Sequence, residues 1–206
     1  AQGQRGHVLS PAACSKWLPY CSRSRIFSIL PVAPNGIAAT NTTSSKDCVA
    51  GDWVVLDRAQ ARVEAVAPRL TAFTRRSARG ARVAQTLAAN MDVVLVVQGL
   101  DPGVNVRRLE RELVLAHQSG ATPIVVLTKT DAVDAAFIES SLAAARRSAP
   151  GVEVVAVSNR DRSGFDQLDR LVRPGRTFAL LGSSGVGKST LVNSFAGETI
   201  MLEGEI

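Results

Sequence analysis

The stretch Gly182-Ser183-Ser184-Gly185-Val186-Gly187-Lys188-Ser189 matches the pattern G-x-x-x-x-G-K-[ST]. An apolar run at residues 177–181 precedes it, and a helical pattern that includes Leu191, Val192 and Phe195 follows it. Glycines let successive backbone N–H groups turn toward phosphate oxygens, and the helix that begins here adds its positive N-terminal dipole. We therefore expect a strand, a phosphate-binding loop and a helix, in that order.

Two polar side chains at the end of this loop have the chemistry of a nucleotide site. Lys188 is the expected catalytic residue, since its ammonium group would bridge the β- and γ-phosphates of a nucleoside triphosphate. The Ser189 hydroxyl is the expected Mg²⁺ ligand, and Thr190 belongs to the same nucleotide-binding set. The expected cofactors are thus a nucleotide and Mg²⁺.

A second motif, Thr128-Lys129-Thr130-Asp131, directly follows the apolar run at residues 124–127. A carboxylate at the end of a strand can accept hydrogen bonds from both N1–H and the exocyclic amino group of guanine, whereas adenine offers no matching pair of donors. Asp131 would therefore select guanine, and the stem of Lys129 can lie along the ring. Taken alone, this four-residue pattern is more often an ordinary turn between a strand and a helix.

The pair Ser158-Asn159 follows the next apolar run, residues 152–157, and could support Asp131 and contact the base. Loops at the carboxyl ends of neighbouring strands are where an open α/β sheet binds its ligands. Together the three loops predict a site for a guanine nucleotide, GTP or GDP.

Short apolar runs alternate with helical patterns from about residue 84 onward. The runs at residues 93–97, 124–127, 152–157 and 178–181 are expected to be strands covered on both faces. Between them, Asn105 can cap a helix that Gly120 ends, and an Ala-rich helix is expected at residues 135–147. The alternation predicts the α/β fold class, with a parallel sheet and right-handed crossovers.

The first part of the chain has a different character. Residues 1–48 show no clear period and are expected to be a poorly matching N-terminal segment, and no Asp or Glu occurs in residues 1–46. This composition is typical of a loosely ordered terminus or of an organellar transit peptide, which leaves a plastid or mitochondrial interior as the alternative to a cytoplasmic location. The segment also holds all the cysteines, which even with His7 lack the spacing of zinc ligands: Cys14, Cys21 and Cys48.

Residues 49–83 are expected to form the end of a small β-domain that runs into a basic connector. Strands are expected at residues 53–56 and 61–66. The connector carries four arginines that are either a solvated run of charge or a surface for nucleic acid: Arg75, Arg76, Arg79 and Arg82.

Composition sets limits on the function. The chain has 206 residues, 46% of them hydrophobic and 20% charged, which excludes wholesale disorder, and no apolar run approaches the roughly 18 residues of a membrane span. Three cysteines are too few for a secreted disulfide framework. The formal net charge of +6 favours a polyanionic partner such as RNA or nucleotide phosphates. A monomer with no membrane partner is expected.

The order of the motifs, with the base-reading loops before the phosphate loop, resembles that of the circularly permuted GTPases. Further matching stretches are Gly51-Asp52-Trp53-Val54, Leu87-Ala88-Ala89-Asn90-Met91-Asp92-Val93-Val94, Arg107-Arg108-Leu109-Glu110-Arg111, Gly120-Ala121-Thr122-Pro123 and residues 180–193. Over about residues 49–205 the chain is similar to the small-ribosomal-subunit biogenesis GTPases, the ribosome small-subunit-dependent GTPase A family.

This resemblance implies an N-terminal OB-type β-barrel, a circularly permuted P-loop GTPase domain and a C-terminal zinc-binding domain. Residues 49–83 would be a partial OB-type domain with the basic connector, whose arginines would face rRNA, and residues 84–206 would be the GTPase domain. The implied activity is GTP hydrolysis in late maturation of the small ribosomal subunit, which is the expected partner.

Some positions depart from the family pattern. Thr128 stands where many GTPases carry Asn, and Asn159 replaces a more usual Ala.

The family's first switch, its D-x-x-G switch and its zinc ligands would all follow Ile206, so we expect a chain that is incomplete at its C-terminus and lacks the switch residues needed for hydrolysis. The alternative function is a non-catalytic RNA-binding module of ribosome assembly with a vestigial nucleotide site.

Overall fold

A computed structural model describes residues 8–9, 29–31, 49–57, 62–76, 84–173, 176–197, 199 and 201. The strands are β1 Val8–Leu9, β2 Ile29–Pro31, β3 Val54–Asp57, β4 Arg62–Val66, β5 Ala72–Arg76, β6 Ala84–Ala89, β7 Val93–Gly99, β8 Thr122–Thr128, β9 Glu153–Ala156 and β10 Thr177–Leu181. The helices are α1 Val106–Gln118, α2 Ala135–Ser148, α3 Phe165–Leu171 and α4 Lys188–Ala196, and a short 3₁₀ turn covers Thr130–Ala132.

The largest sheet has five strands in the order β2-β10-β7-β8-β9. The pairs β10–β7, β7–β8 and β8–β9 are parallel, whereas β2 pairs with β10 in the antiparallel direction. Every residue of β7 and β10 is buried, as expected for strands covered on both faces. The α/β fold class with a parallel sheet is therefore confirmed.

Helices cover the two faces of this sheet. On one face Leu109 of α1 and Leu142 of α2 pack with Val94 and Val96 of β7. The opposite face packs against α3 and α4, which contribute Phe165, Leu168, Leu191 and Val192 to a second cluster. As expected, α1 begins after Asn105, whose side chain accepts a hydrogen bond from the Arg108 N–H, and it ends just before Gly120. The sheet is thus the middle of three layers.

Two smaller antiparallel sheets, β1-β3-β4 and β5-β6, are built from the other strands that come before β7 in the chain, whereas β2 belongs to the large sheet. The segment expected to be a basic connector is built differently, because Arg75 and Arg76 lie in β5 and pair with Gln85 and Ala84 of β6. The prediction missed β6, since its sequence Ala-Gln-Thr-Leu-Ala-Ala has little intrinsic strand preference and pairing with β5 decides its conformation. Arg79 and Arg82 lie outside the described residues, as do His7, Cys14, Cys21 and Cys48.

An ion pair and the hydrogen bonds of Asn90 join three segments at the base of this hairpin. The buried carboxylate of Asp52 accepts hydrogen bonds from Arg69 Nε at 2.7 Å and Nη2 at 2.8 Å, and from the Val49 N–H at 2.8 Å. Nearby, Asn90 accepts from the Leu70 N–H at 2.8 Å and donates to the Gly51 carbonyl oxygen at 3.0 Å. These contacts fix residues 49–52 and 69–70 against the chain that enters β7.

Candidate nucleotide site

The carboxyl ends of the parallel strands bring the sequence-predicted loops to one edge of the sheet. The register pairs Gly99 of β7 with Thr128 of β8, and Leu127 of β8 with Ala156 of β9. The chain passes from β7 to β8 and β9 on one face, and then returns by α3 on the other face to place β10 beside β7. In open α/β sheets, ligands bind where the connections change face in this way.

The glycine-rich loop, residues 182–189, leaves β10 and leads into α4. A Cβ atom at Gly182 would overlap the carbonyl oxygen of Val97, so this position requires glycine. Gly185 and Gly187 have positive φ angles of 78° and 88°, a conformation that other residues adopt at a cost. Lys188 is the first residue of α4, and its Nζ donates to the Ser183 carbonyl oxygen at 2.5 Å. The lysine therefore folds back over the loop.

The TKTD loop, residues 128–131, is tied directly to the glycine-rich loop. Thr128 is completely buried, and its Oγ1 donates to the Val186 carbonyl oxygen at a distance of 2.6 Å. The same hydroxyl lies 3.3 Å from the Gln98 carbonyl oxygen. Lys129 adopts a left-handed conformation with φ 62° and begins the 3₁₀ turn, in which Asp131 is exposed. Threonine at position 128 thus forms a bond between the two loops.

The Ser158-Asn159 pair contacts both other parts of the site. The Ser158 hydroxyl donates to Asp131 Oδ1 at 3.0 Å and accepts from the Arg160 N–H at 3.1 Å. Ser194 of α4 donates to Asn159 Oδ1 at 3.4 Å. The structure therefore brings Asp131 and Ser158 into contact, as expected from the sequence, and places Asn159 against the helix that follows the glycine-rich loop.

Sequence reasoning missed a buried polar pair close to this site. Gln98 of β7 donates from Nε2 to Glu112 Oε2 of α1 at 2.6 Å, and both residues are buried. Burial raises the pKa of Glu112, while the hydrogen bond from Gln98 and the charges of Arg108, Lys188 and Arg111 oppose this rise. Burial also lowers the pKa of Lys188, and the charge of Glu112 opposes that change. The sequence does indicate that Glu112 is buried, because this residue lies on the same apolar face of α1 as Leu109, Leu113 and Ala116.

A cluster of metal-binding side chains or a helix that could cross a membrane would also bear on the function of the described part of the chain. No group of three or more His, Cys, Asp or Glu side chains that could hold a metal ion occurs among the described residues. Within the same residues, no helix has the length and apolar character needed to cross a bilayer.

The fold and the loop order define a class of protein. An α/β sheet carries a G-x-x-x-x-G-K-S loop after β10, and the TKTD loop comes earlier in the chain although the two loops are in contact. This arrangement is that of a circularly permuted P-loop GTPase domain.

Comparison with known proteins identifies the family. The sequence model of the RsgA GTPase family matches residues 66–206. The small ribosomal subunit biogenesis GTPase RsgA of Methanosarcina acetivorans is 37% identical over 181 residues, which cover 85% of this chain and 48% of that protein. The protein of the same name from Opitutus terrae is 40% identical over 195 residues, which cover 94% of this chain and 50% of that protein. The chain belongs to the RsgA GTPase family.

Solved structures agree on the fold. The crystal structure of YjeQ from Thermotoga maritima superposes with a TM-score of 0.57 at 22% identity and covers 72% of this chain and 51% of that one. YloQ, described as a circularly permuted GTPase, gives a TM-score of 0.50 at 24% identity, with 70% of this chain and 48% of that one covered. The chain thus spans about half the length of the relatives that it matches.

Proposed function

We propose that this chain is the nucleotide-binding part of a GTP-hydrolysing factor that acts in late maturation of the small ribosomal subunit. Membership of the RsgA GTPase family supports this proposal, since the curated relatives carry small ribosomal subunit biogenesis in their names. The chemistry proposed for this chain is selective binding of GTP and GDP with Mg²⁺. Hydrolysis and contact with the ribosomal subunit are proposed for the whole protein.

The guanine base is bound by the TKTD loop. The Asp131 carboxylate accepts from N1–H and from the exocyclic amino group of guanine, and the stem of Lys129 lies along the ring. Ser158 donates to Asp131 Oδ1, which supports this role because the bond orients the carboxylate without removing its charge. Adenine, with no matching donor pair, would leave the carboxylate unpaired and would therefore bind more weakly.

The phosphates are bound by the glycine-rich loop and the first turn of α4. The described acidic side chains form no cluster that could hold a cation, so Mg²⁺ would bind together with the nucleotide phosphates rather than in a protein cage. The Ser189 hydroxyl has no hydrogen-bond partner among the described residues, which fits a ligand of that ion. When bound, Mg²⁺ neutralises negative charge on the phosphates. Lys188 exchanges its bond to the Ser183 carbonyl oxygen for the β- and γ-phosphates.

The observation that carries this proposal is the 2.6 Å hydrogen bond from Thr128 Oγ1 to the Val186 carbonyl oxygen. It joins the loop assigned to the base and the loop assigned to the phosphates, although residues 128 and 186 are 58 positions apart. A single nucleotide can contact both loops only if they are held side by side in this way.

The base assignment is tested by equilibrium binding of GDP and ADP to the wild-type chain. We expect GDP to bind at least about a hundredfold more tightly, because ADP leaves a charged acceptor unpaired. Asp131→Asn should weaken GDP binding and strengthen binding of xanthosine diphosphate, whose C2 carbonyl can accept from the new amide. Asp169→Asn, an exposed carboxylate on α3, is the matched control and should change neither affinity. Equal wild-type affinity for GDP and ADP would contradict the proposal.

The ribosomal part is tested by co-sedimentation of the whole protein with purified small ribosomal subunits. We expect more protein in the pellet with a non-hydrolysable GTP analogue than with GDP, and Lys188→Ala should abolish this difference. A second variant replaces the four arginines proposed to face rRNA by glutamine, namely Arg75, Arg76, Arg79 and Arg82. It should weaken sedimentation and make it less sensitive to salt. Binding that is indifferent to Lys188→Ala would instead favour the non-catalytic RNA-binding module.

A further inference from the structure

A second concave surface lies at the opposite end of the sheet from the glycine-rich loop. It runs along the amino ends of β7, β8 and β9, where Val93, Ile124 and Glu153 line it, and the end of α3 forms its other wall. Its volume is about 370 Å³, and it is open to solvent along one side. We call this surface the basic groove.

Positive charge dominates the basic groove. Arg170, Arg173 and Arg176 line it together with His117, and Glu153 is the one acidic residue among the described residues of its lining. Arg170 Nε donates to the Asp166 carbonyl oxygen at 3.0 Å, and Arg173 Nε donates to the Arg170 carbonyl oxygen at 3.4 Å. None of the three arginines has an acidic partner among the described residues. Their Nη groups are therefore available to an external anion.

The floor of the groove is made of apolar side chains and strand ends, including Pro123, Val152 and Leu171. Guanidinium groups bind phosphate through two parallel hydrogen bonds, and an apolar floor can pack against ribose. We propose that the basic groove binds the sugar–phosphate backbone of RNA. The choice of RNA over an acidic protein segment rests on the proposed function in ribosomal subunit maturation, whereas the charge and shape of the groove are properties of this chain.

The position of the groove separates RNA binding from nucleotide binding. The glycine-rich loop lies at the carboxyl ends of the same strands, and a strand of seven residues such as β8 is about 23 Å long. A nucleotide at one end therefore does not touch RNA at the other end. The chain would bind both at once, without competition.

The test measures binding of a fluorescent 20-nucleotide polyuridine RNA to this chain at several salt concentrations. Arg170→Gln combined with Arg173→Gln should weaken binding about tenfold and make the slope of log affinity against log salt shallower by about 1.4, as expected for two lost phosphate contacts. The matched control combines Arg146→Gln with Arg147→Gln, two exposed arginines in the last turn of α2 outside the groove, and should change affinity less than twofold. GDP at saturating concentration should not displace the RNA from the wild-type chain.

Three results would overturn the proposal. The two double variants could lose the same affinity, which would indicate a diffuse effect of charge. GDP could displace the RNA, which would place the RNA at the glycine-rich loop. Polyglutamate of similar length could compete with RNA for the wild-type groove more strongly than unlabelled polyuridine does, which would indicate an acidic protein partner. The melting temperatures of both double variants show whether a loss of RNA affinity comes from unfolding of the chain. Failure of GDP binding with RNA binding retained would contradict only the proposed function.

Discussion

The side-chain amide of Gln98 donates a 2.6 Å hydrogen bond to the carboxylate of Glu112, and this buried pair is close enough to Lys188 for the two charges to affect each other's pKa. A carboxylate that is buried with only a neutral hydrogen-bond donor is costly to ionise. The pair therefore makes the stability of the fold depend on pH.

Glu112→Gln should remove this pH dependence. Because the pKa of Glu112 is raised above its ordinary 4.5, the folded chain retains this proton at pH values where the unfolded chain has lost it. The free energy of unfolding of the wild type should thus fall as pH rises from 4.5 through the raised pKa, and stay lower above it. The variant should lack this fall and be more stable than the wild type at pH 7. Urea denaturation between pH 5 and pH 8 measures the change in unfolding free energy with pH and the difference in stability at pH 7. Glu110→Gln, a change at an exposed residue, is the control. A wild type whose stability rises over this window relative to the variant would contradict the expectation.

Thr128→Val should separate the two loops of the nucleotide site. The valine has nearly the same shape but cannot donate to the Val186 carbonyl oxygen, so the variant loses about 1 kcal/mol of stability and holds the glycine-rich loop less firmly. We expect GDP affinity to fall about tenfold, measured by titration calorimetry. Thr122→Val, at the exposed start of the same strand, should leave affinity unchanged. Unchanged GDP affinity in Thr128→Val would show that this bond does not position the loops.

Gly182→Ala should destabilise the fold by about 2 to 3 kcal/mol, since the added methyl group would overlap the Val97 carbonyl oxygen and force β7 and β10 apart. Gly99→Ala is the matched control, because the nearest atom to its new methyl group would be the Asp101 carbonyl oxygen, at an ordinary contact distance of 3.6 Å. Thermal and urea unfolding of the two variants give the comparison. Equal stability would mean that the strands can separate at little cost.

Arg69→Ala should destabilise the chain by about 3 kcal/mol, because it leaves the buried Asp52 carboxylate without its cation. The double variant Arg69→Ala with Asp52→Asn should recover part of this loss, as the uncompensated charge is removed. Arg107→Ala, an exposed residue of α1, is the control. The free energies of unfolding from urea titration decide the outcome, and a double variant less stable than Arg69→Ala would count against an ion pair of this kind.

The parts of the fold that depend on local pattern were predictable from the sequence. The glycine-rich loop, the cap at Asn105 and the buried strands have signals within a few neighbouring residues. The contact between Ser158 and Asp131 was also expected, because parallel strands place their carboxyl ends at one edge.

The parts that depend on distant partners were not predictable in this way. The sequence that begins at Ala84 has no pattern typical of a strand, and it becomes strand β6 only because it pairs with β5. Likewise, nothing near Asp52 indicates that Arg69 is its partner, or that Gln98 would meet Glu112. Gln98 is the one polar residue before the glycine of an otherwise apolar β7, which in hindsight marks a buried hydrogen bond.

The place of β10 in the sheet has a consequence for how the chain folds as it is synthesised. The backbone N–H of Thr177, the first residue of β10, donates to Oδ2 of Asp92, which lies just before β7. The two residues are 85 positions apart. The strands β7, β8 and β9 and the helices α1 and α2 precede β10 in the chain, so we expect them to pack together before β10 joins the sheet. Closure of this long-range contact then brings the glycine-rich loop against the TKTD loop, so we expect a nascent chain without β10 to lack the hydrogen bond from Thr128 to Val186.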